Sequence, residues 1–143
     1  MIKSEGVTMQ EVFKDIKGYE GLYQISNLGR VKSLERDIKL RQYTKHVDAF
    51  IMRQDLNKRG YLYIRLTKNG KQKAFRVHRL VAEAFIDNPN SLSQVNHIDF
   101  NRTNNNVNNL EWVTPQDNTN HSIEHLRASI KEYHKAKRGT YEQ

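Results

Sequence analysis

The chain contains no cysteine, which excludes disulfides and any thiolate zinc knuckle and leaves His, Asn, Asp and Glu as the available metal ligands. Long apolar runs are missing as well. No stretch approaches the roughly 18 consecutive apolar residues of a membrane span, and the first residues lack the apolar centre of a signal peptide. Apolar residues make up only 36% of the chain and its mean hydropathy is −0.87, so the buried volume is small and the surface strongly polar. These absences predict a soluble, intracellular protein without membrane contact. Acidic residues are also the minority: 16 Asp and Glu face 24 Lys and Arg, and the resulting +8 suggests a polyanionic partner, nucleic acid first among them. With 143 residues the chain can form one ordinary domain or two small modules that share a modest core.

Residues 1–10 show no usable periodicity and read as a disordered lead-in. From Glu11 onward, short runs with β-branched and aromatic residues alternate with Gly and Asn turns, the pattern of a compact β module. Within it, Val31 and Leu34 are expected near the core and Arg30 and Lys32 on an exposed face. Between Glu35 and Ala49 the pattern is lost, and this mixed-charge stretch reads as a linker. Tyr61-Leu62-Tyr63-Ile64-Arg65-Leu66-Thr67 and Gln72-Lys73-Ala74-Phe75-Arg76-Val77, joined through Asn69-Gly70, spell a hairpin, one face of which is expected to carry Arg65, Lys73 and the turn lysines. Val77, Leu80, Val81, Ala84 and Phe85 fall on one helical stripe, predicting a helix over 78–86 with His78 and Arg79 at its exposed start. Thr114, Pro115 and Asp117 carry the signature of a helix start, and Ile123, Leu126, Ile130 and Tyr133 continue that helix to about residue 136 with Arg127, Lys131, Lys135, Lys137 and Arg138 on its other side.

Two stretches carry a resemblance. Ile16-Lys17-Gly18-Tyr19-Glu20-Gly21-Leu22-Tyr23-Gln24-Ile25-Ser26-Asn27-Leu28-Gly29-Arg30-Val31 is similar to the N-terminal module of HNH nucleases of the phage and intron-encoded, homing-endonuclease type. Val77-His78-Arg79-Leu80-Val81-Ala82, Val95-Asn96-His97-Ile98-Asp99, Asn109-Leu110-Glu111-Trp112-Val113-Thr114 and Asn118 resemble the nuclease core of the same family. The resemblance implies an α+β fold: a small N-terminal β module, a ββα-metal (HNH, His-Me finger) nuclease core and a basic C-terminal helix. It divides the chain into the lead-in at 1–10, a DNA-binding module and linker at 11–49, the nuclease domain at 50–121, and the helix and tail at 122–143. By the same resemblance His97 takes the place of the general base, Asn109 that of the Asn bracing the loop between the strands, and Asn118 and Asn96 those of metal ligands, Asn96 standing where some members have Asp. A phage or mobile element in a bacterial host is the implied source.

The residues support this chemistry independently. Hydrolysis of a phosphodiester needs a deprotonated water and a cation to neutralise the phosphate and the leaving oxygen. A neutral imidazole such as that of His97 can take the proton at physiological pH, and amide oxygens suit Mg²⁺ or Mn²⁺. His121, one turn beyond Asn118, is a rival ligand. Asp99 reads as a loop cap that could also reach the metal, Trp112 as core, and the remaining asparagines at 104–108 as turn chemistry. Arg30, Lys32, Arg65, Lys73, His78 and Arg79 are the candidate DNA contacts. The expected protein hydrolyses double-stranded DNA as a monomer that nicks, a double-strand break requiring two binding events or a dimer. Two other readings stand beside it: a non-catalytic DNA-binding protein on a decayed HNH scaffold, suggested by the missing acid at 96, and an RNA-binding module, suggested by charge and by Tyr61 and Tyr63.

Overall fold

The computed structural model describes residues 9–141, with side chains described as far as residue 138. All but the end of the lead-in expected over 1–10 lies outside the described residues. Strands β1 (Phe13–Asp15), β2 (Tyr23–Ser26), β3 (Val31–Ser33) and β6 (Phe50–Ile51) form an antiparallel sheet in the order β1-β2-β3-β6. Tyr23, Ile25, Val31 and Ser33 point inward at alternate positions. Alternation holds in β3, with Ser33 rather than Leu34 as its second buried residue; the Ser33 hydroxyl accepts a hydrogen bond from Arg36, which makes a buried Ser tolerable there.

The stretch read as a linker is an ordered ribbon of β4 (Arg36–Lys39) and β5 (Thr44–Val47). Its residues are almost all exposed, so no apolar alternation marks it. The N-terminal sheet then continues past residue 49, because Phe50 and Ile51 pair with Ser33 and Lys32. A second sheet, in the order β7-β8-β9, contains β7 (Asp55–Leu56), β8 (Leu62–Lys68) and β9 (Lys71–Arg76). Asn69 and Gly70, with φ of 52° and 75°, make the expected tight turn between β8 and β9. The register pairs Arg65 with Ala74 and Lys73 with Leu66. Arg65 and Lys73 consequently lie on opposite faces of the hairpin, contrary to the expectation of one basic face: Lys73 sits at the rim of the core side and Arg65 on the outer side.

Helix α1 (Val77–Phe85) follows β9 directly, then β10 (Gln94–His97), a single 3-10 turn (Val107–Asn109), β11 (Leu110–Val113) and helix α2 (Pro115–Tyr141). Thr114 caps α2 as its sequence predicts, its Oγ1 accepting from the Asp117 amide at 3.0 Å. The helix outruns its expected end near 136, and Ile123, Leu126, Ile130 and Tyr133 are exposed, none of them part of the buried cluster among the described residues.

Both parts of the chain share one core. Ile25 and Val31 from the first sheet, Ile64 and Leu66 from β8, Val77 and Val81 from α1, and Val95 and Leu110 from the last hairpin belong to a single buried cluster. Tyr23 joins the two sheets through its phenol, which donates to the Thr67 carbonyl and accepts from the Thr67 amide. A second junction lies at Gly29. Its φ is +88°, a Cβ built there would stand 2.9 Å from the Asn105 Cβ, and the neighbouring Asn27 carbonyl accepts from the Val107 amide. Gly70 shares the positive φ but has nothing within 4 Å of such a Cβ. Gly29→Ala is therefore expected to destabilise the fold by more than about 1 kcal/mol, and by clearly more than Gly70→Ala, in urea denaturation. Equal losses at the two positions would refute a packing role for Gly29.

Candidate active site

The β10-β11 hairpin and the first turns of α2 open onto a cleft of about 390 Å³ lined by Tyr61, Asn96, His97, Phe100, Arg102 and Asn118, with Val95 and Ser122. A larger cleft, about 740 Å³, is lined by Asp15, Arg79, Glu83, Asp87, Asn88 and Trp112 but has no histidine to act as a base, and among the described residues its carboxylates do not converge on one point. The smaller one holds the candidate chemistry.

His97 ends β10 and is 5% exposed. Its Nε2 lies 2.8 Å from Asn105 Oδ1. With that oxygen accepting, the imidazole carries its proton on Nε2 and leaves the lone pair on Nδ1, the form a general base requires. The tautomer is read from the direction of the Asn105 amide. Burial pushes the His97 pKa below its ordinary 6.5, against the raising effect of the Asn105 bond, so the ring is neutral at physiological pH.

Asn109 braces the loop that precedes it. Its Oδ1 accepts from the Asp99 amide, and its Nδ2 donates to Asp99 Oδ1 and the Asn104 carbonyl. Asp99 also accepts from the Asn101 amide and the Asn104 side chain, bonds that hold its carboxyl below the usual range and occupy both of its oxygens within the loop. Asp99 does not line the cleft. Asn96 and Asn118 do, and each uses its NH₂ elsewhere: Asn96 donates to Glu111 Oε1 and Asn118 to Gln94 Oε1, both at 2.9 Å. No hydrogen bond among the described residues reaches the Oδ1 of either amide. Two neutral oxygens are thus left free at the cleft, a donor set that fits a hard divalent cation such as Mg²⁺ or Mn²⁺.

His121 is engaged differently. Its ring lies flat on Phe100, with centroids 4.3 Å apart, and it does not line the cleft. His125 stacks on Phe100 as well, so the two histidines, one helical turn apart, both pack on the ring of Phe100, whose backbone is left-handed at φ 64°.

His78 overturns the expectation of an exposed helix start. It is 5% exposed, because α1 is buried along His78 and Ala82 in addition to the predicted stripe. Its ring stacks on Tyr61 and stands 4.9 Å from that of His97. Desolvation, with smaller contributions from the charges of His97, Arg76 and Arg79, lowers its pKa to about 3, so it cannot serve as a cationic phosphate contact. The other candidate DNA contacts lie outside the cleft. Arg30 is paired with Glu11, Lys32 lies over Phe13, Arg65 over Tyr63 and Lys73 over Phe75. Arg79 donates to the Ser93 carbonyl and lies over Trp112. The cation that does line the cleft is Arg102, stacked 4.9 Å from the Tyr61 centroid, with Arg76 at 5.3 Å. Its isolation as the single positive residue between Ala82 and Val113 was the signal available in the sequence. Nothing local in the sequence marks Asn105 or Glu111 as part of the site. On the β4-β5 ribbon, His46 is surrounded by Asp37, Glu35 and Asp48, all exposed and none of them in the cleft.

Two short antiparallel strands followed by a capped helix, with a histidine ending the first strand and an amide in the helix's first turns, define the ββα-metal class of nuclease site. Comparison with known proteins agrees. Residues 11–67 match the NUMOD4 motif and residues 75–120 the HNH endonuclease family. DNA endonuclease I-HmuI of Bacillus phage SP01 is 43% identical over 111 residues, covering 78% of this chain and 57% of that protein. An HNH endonuclease of Acanthamoeba polyphaga mimivirus, L245, is 42% identical over 101 residues, 71% of this chain and 27% of its own length. The solved structure of the HNH homing endonuclease I-HmuI, concerned with DNA binding and cleavage, superposes with a TM-score of 0.65 at 36% identity, over 89% of this chain and 68% of that one. The chain belongs to the HNH endonuclease family. It spans only about a quarter to somewhat over half the length of these two curated relatives. Among the described residues no helix is long and apolar enough to cross a membrane.

The buried histidines make stability depend on pH in a definite direction. The folded pKa of His78 lies below its ordinary 6.5, so its contribution is complete above that value and is lost as pH falls toward about 3. Urea denaturation between pH 7 and about 4 should show a steady loss of stability in the wild type and a shallower one in His78→Phe. Parallel curves would remove His78 as a buried neutral group.

Proposed function

We propose that this chain is a metal-dependent DNA endonuclease that hydrolyses a phosphodiester bond of double-stranded DNA, acting as a monomer to leave a nick. The observation that carries the proposal is the His97 to Asn105 hydrogen bond, which commits Nε2 and leaves Nδ1 as the free base beside two unengaged amide oxygens. In this reading His97 Nδ1 takes the proton of the attacking water. Asn118 and Asn96 hold a divalent cation, Mg²⁺ or Mn²⁺, through their Oδ1 atoms. That cation, when bound, neutralises charge on the scissile phosphate and its leaving oxygen. Arg102, fixed by Tyr61 and by its bond to the Arg59 carbonyl, adds a positive charge at the cleft wall. Asn109 keeps the loop between the strands closed under the site. His121 is assigned to Phe100 rather than to the cation.

DNA binding rests on the net charge of +8, on the similarity to I-HmuI, whose structure concerns DNA binding and cleavage, and on the basic residues of the N-terminal part. The first sheet and the ribbon, with Arg30 and Lys32, are read as the grip on the duplex, and the segment from β7 to the start of α2 as the nuclease proper. Arg65 serves the outer hairpin face. Lys73 lies on the opposite hairpin face and Arg79 at the larger cleft, and both contribute through the general field.

Supercoiled plasmid incubated with the protein and Mg²⁺ or Mn²⁺ should become nicked, and His97→Ala should lower the rate by about 10²–10⁴-fold. An unchanged plasmid in both metals, or a fully active variant, rejects the assignment. If His97 is the base, its protonated form is inactive, and because its pKa is lowered the acid limb of kcat/KM should have its midpoint below pH 6.5. A midpoint above that value would point to another group.

A further inference from the structure

Asn96 stands where an acidic ligand would be expected to supply charge, and the structure supplies that charge one bond away. Glu111 is the direct cross-strand partner of Asn96 in the β10-β11 register, and its Oε1 accepts from Asn96 Nδ2 at 2.9 Å. A carboxylate can only accept, so this contact settles which end of the buried Asn96 amide faces Glu111 and which end faces the cleft. An isolated asparagine has no such preference and could present its NH₂ to the cleft, where it would repel a cation. The bond is charge-assisted, polarises the amide and makes its oxygen more negative. Glu111 itself is exposed and does not line the cleft.

We propose that Glu111 is a positioning residue that orients and polarises the Asn96 amide as a cation ligand, so that the pair acts as a carboxylate at one remove. The inference rests on the reading of Asn96 as a metal ligand. Carboxylates placed behind metal ligands are a general means of tuning affinity, and losing one typically weakens binding about 10- to 100-fold.

The test is Mn²⁺ binding to the full chain on uncleavable phosphorothioate duplex DNA, with free Mn²⁺ counted by electron paramagnetic resonance. Glu111→Gln, which keeps the size and can present either a donor or an acceptor to Asn96, is expected to raise the Mn²⁺ dissociation constant about tenfold. Asn96→Ala should raise it at least as much. The double variant should bind Mn²⁺ no worse than Asn96→Ala alone, because Glu111 acts through that amide. In the free wild-type protein, the Asn96 side-chain NH₂ resonances should be shifted by the carboxylate and should return toward ordinary amide values in Glu111→Gln without change elsewhere in the spectrum. The proposal is overturned if Glu111→Gln leaves Mn²⁺ binding unchanged. It is also overturned if the two substitutions weaken binding additively, which would make Glu111 a ligand in its own right. Unchanged Mn²⁺ binding in Asn96→Ala rejects instead the placement of the cation on Asn96, a different failure.

Discussion

The hydrogen bond between His97 and Asn105 is the interaction on which the rest of the site depends. A buried imidazole without a partner would choose its ring angle freely; Asn105 Oδ1, 2.8 Å from Nε2, holds that angle and by accepting favours the proton on Nε2. Asn105 is in turn held from the far end of the chain. Gly29 leaves room for its Cβ, and the Asn27 carbonyl secures Val107 just beyond it. The N-terminal sheet is therefore structural support for the histidine as well as a candidate grip on DNA. The shared core, from Ile25 through Leu66 and Val81 to Leu110, gives that support its rigidity.

Much of this was legible in the sequence, because the relevant signals are local. The Asn69-Gly70 turn, the stripe of α1 and the Thr114 cap each follow from a few adjacent residues, and the order of strand, loop, strand and helix around His97 follows from the motif. What escaped was information held in pairings. Asn105 is one asparagine in a run of them, and nothing local separates the one that reaches His97 from its neighbours that close turns. Glu111 acquires meaning only from the register that sets it against Asn96. A single helical stripe leaves His78 on the exposed side, whereas α1 is wrapped by both sheets and the last hairpin. The ribbon at 36–47 has no apolar face and so leaves no period to read, although backbone pairing and the ion pairs of His46 suffice to order it. The assignment of Arg65 and Lys73 to one face failed for the related reason that the faces of a hairpin depend on its register.

The electrostatics of the cleft follow from how its polar groups are partnered. Asp99, the nearest carboxylate in sequence to His97, spends its oxygens on loop amides, and this removes it as a ligand while fixing the loop. Two histidines packed side by side remain neutral because burial penalises their charged forms, and the positive charge of the site falls to Arg102 on the face of Tyr61. The cleft is thus a place of oriented neutral dipoles beside one fixed cation, suited to an anionic backbone that brings its own negative charge.

The contact of Gly29 with Asn105 has a consequence for how such proteins can change. The residues that match the NUMOD4 motif and those that match the HNH endonuclease family invite exchange between relatives. Here the halves meet through a missing side chain on one and an asparagine on the other, directly behind His97. A chimera that altered the turn at residues 27–29 without altering the loop at 105–107 would break this fit at the seam of the shared core, so the two segments have to change together.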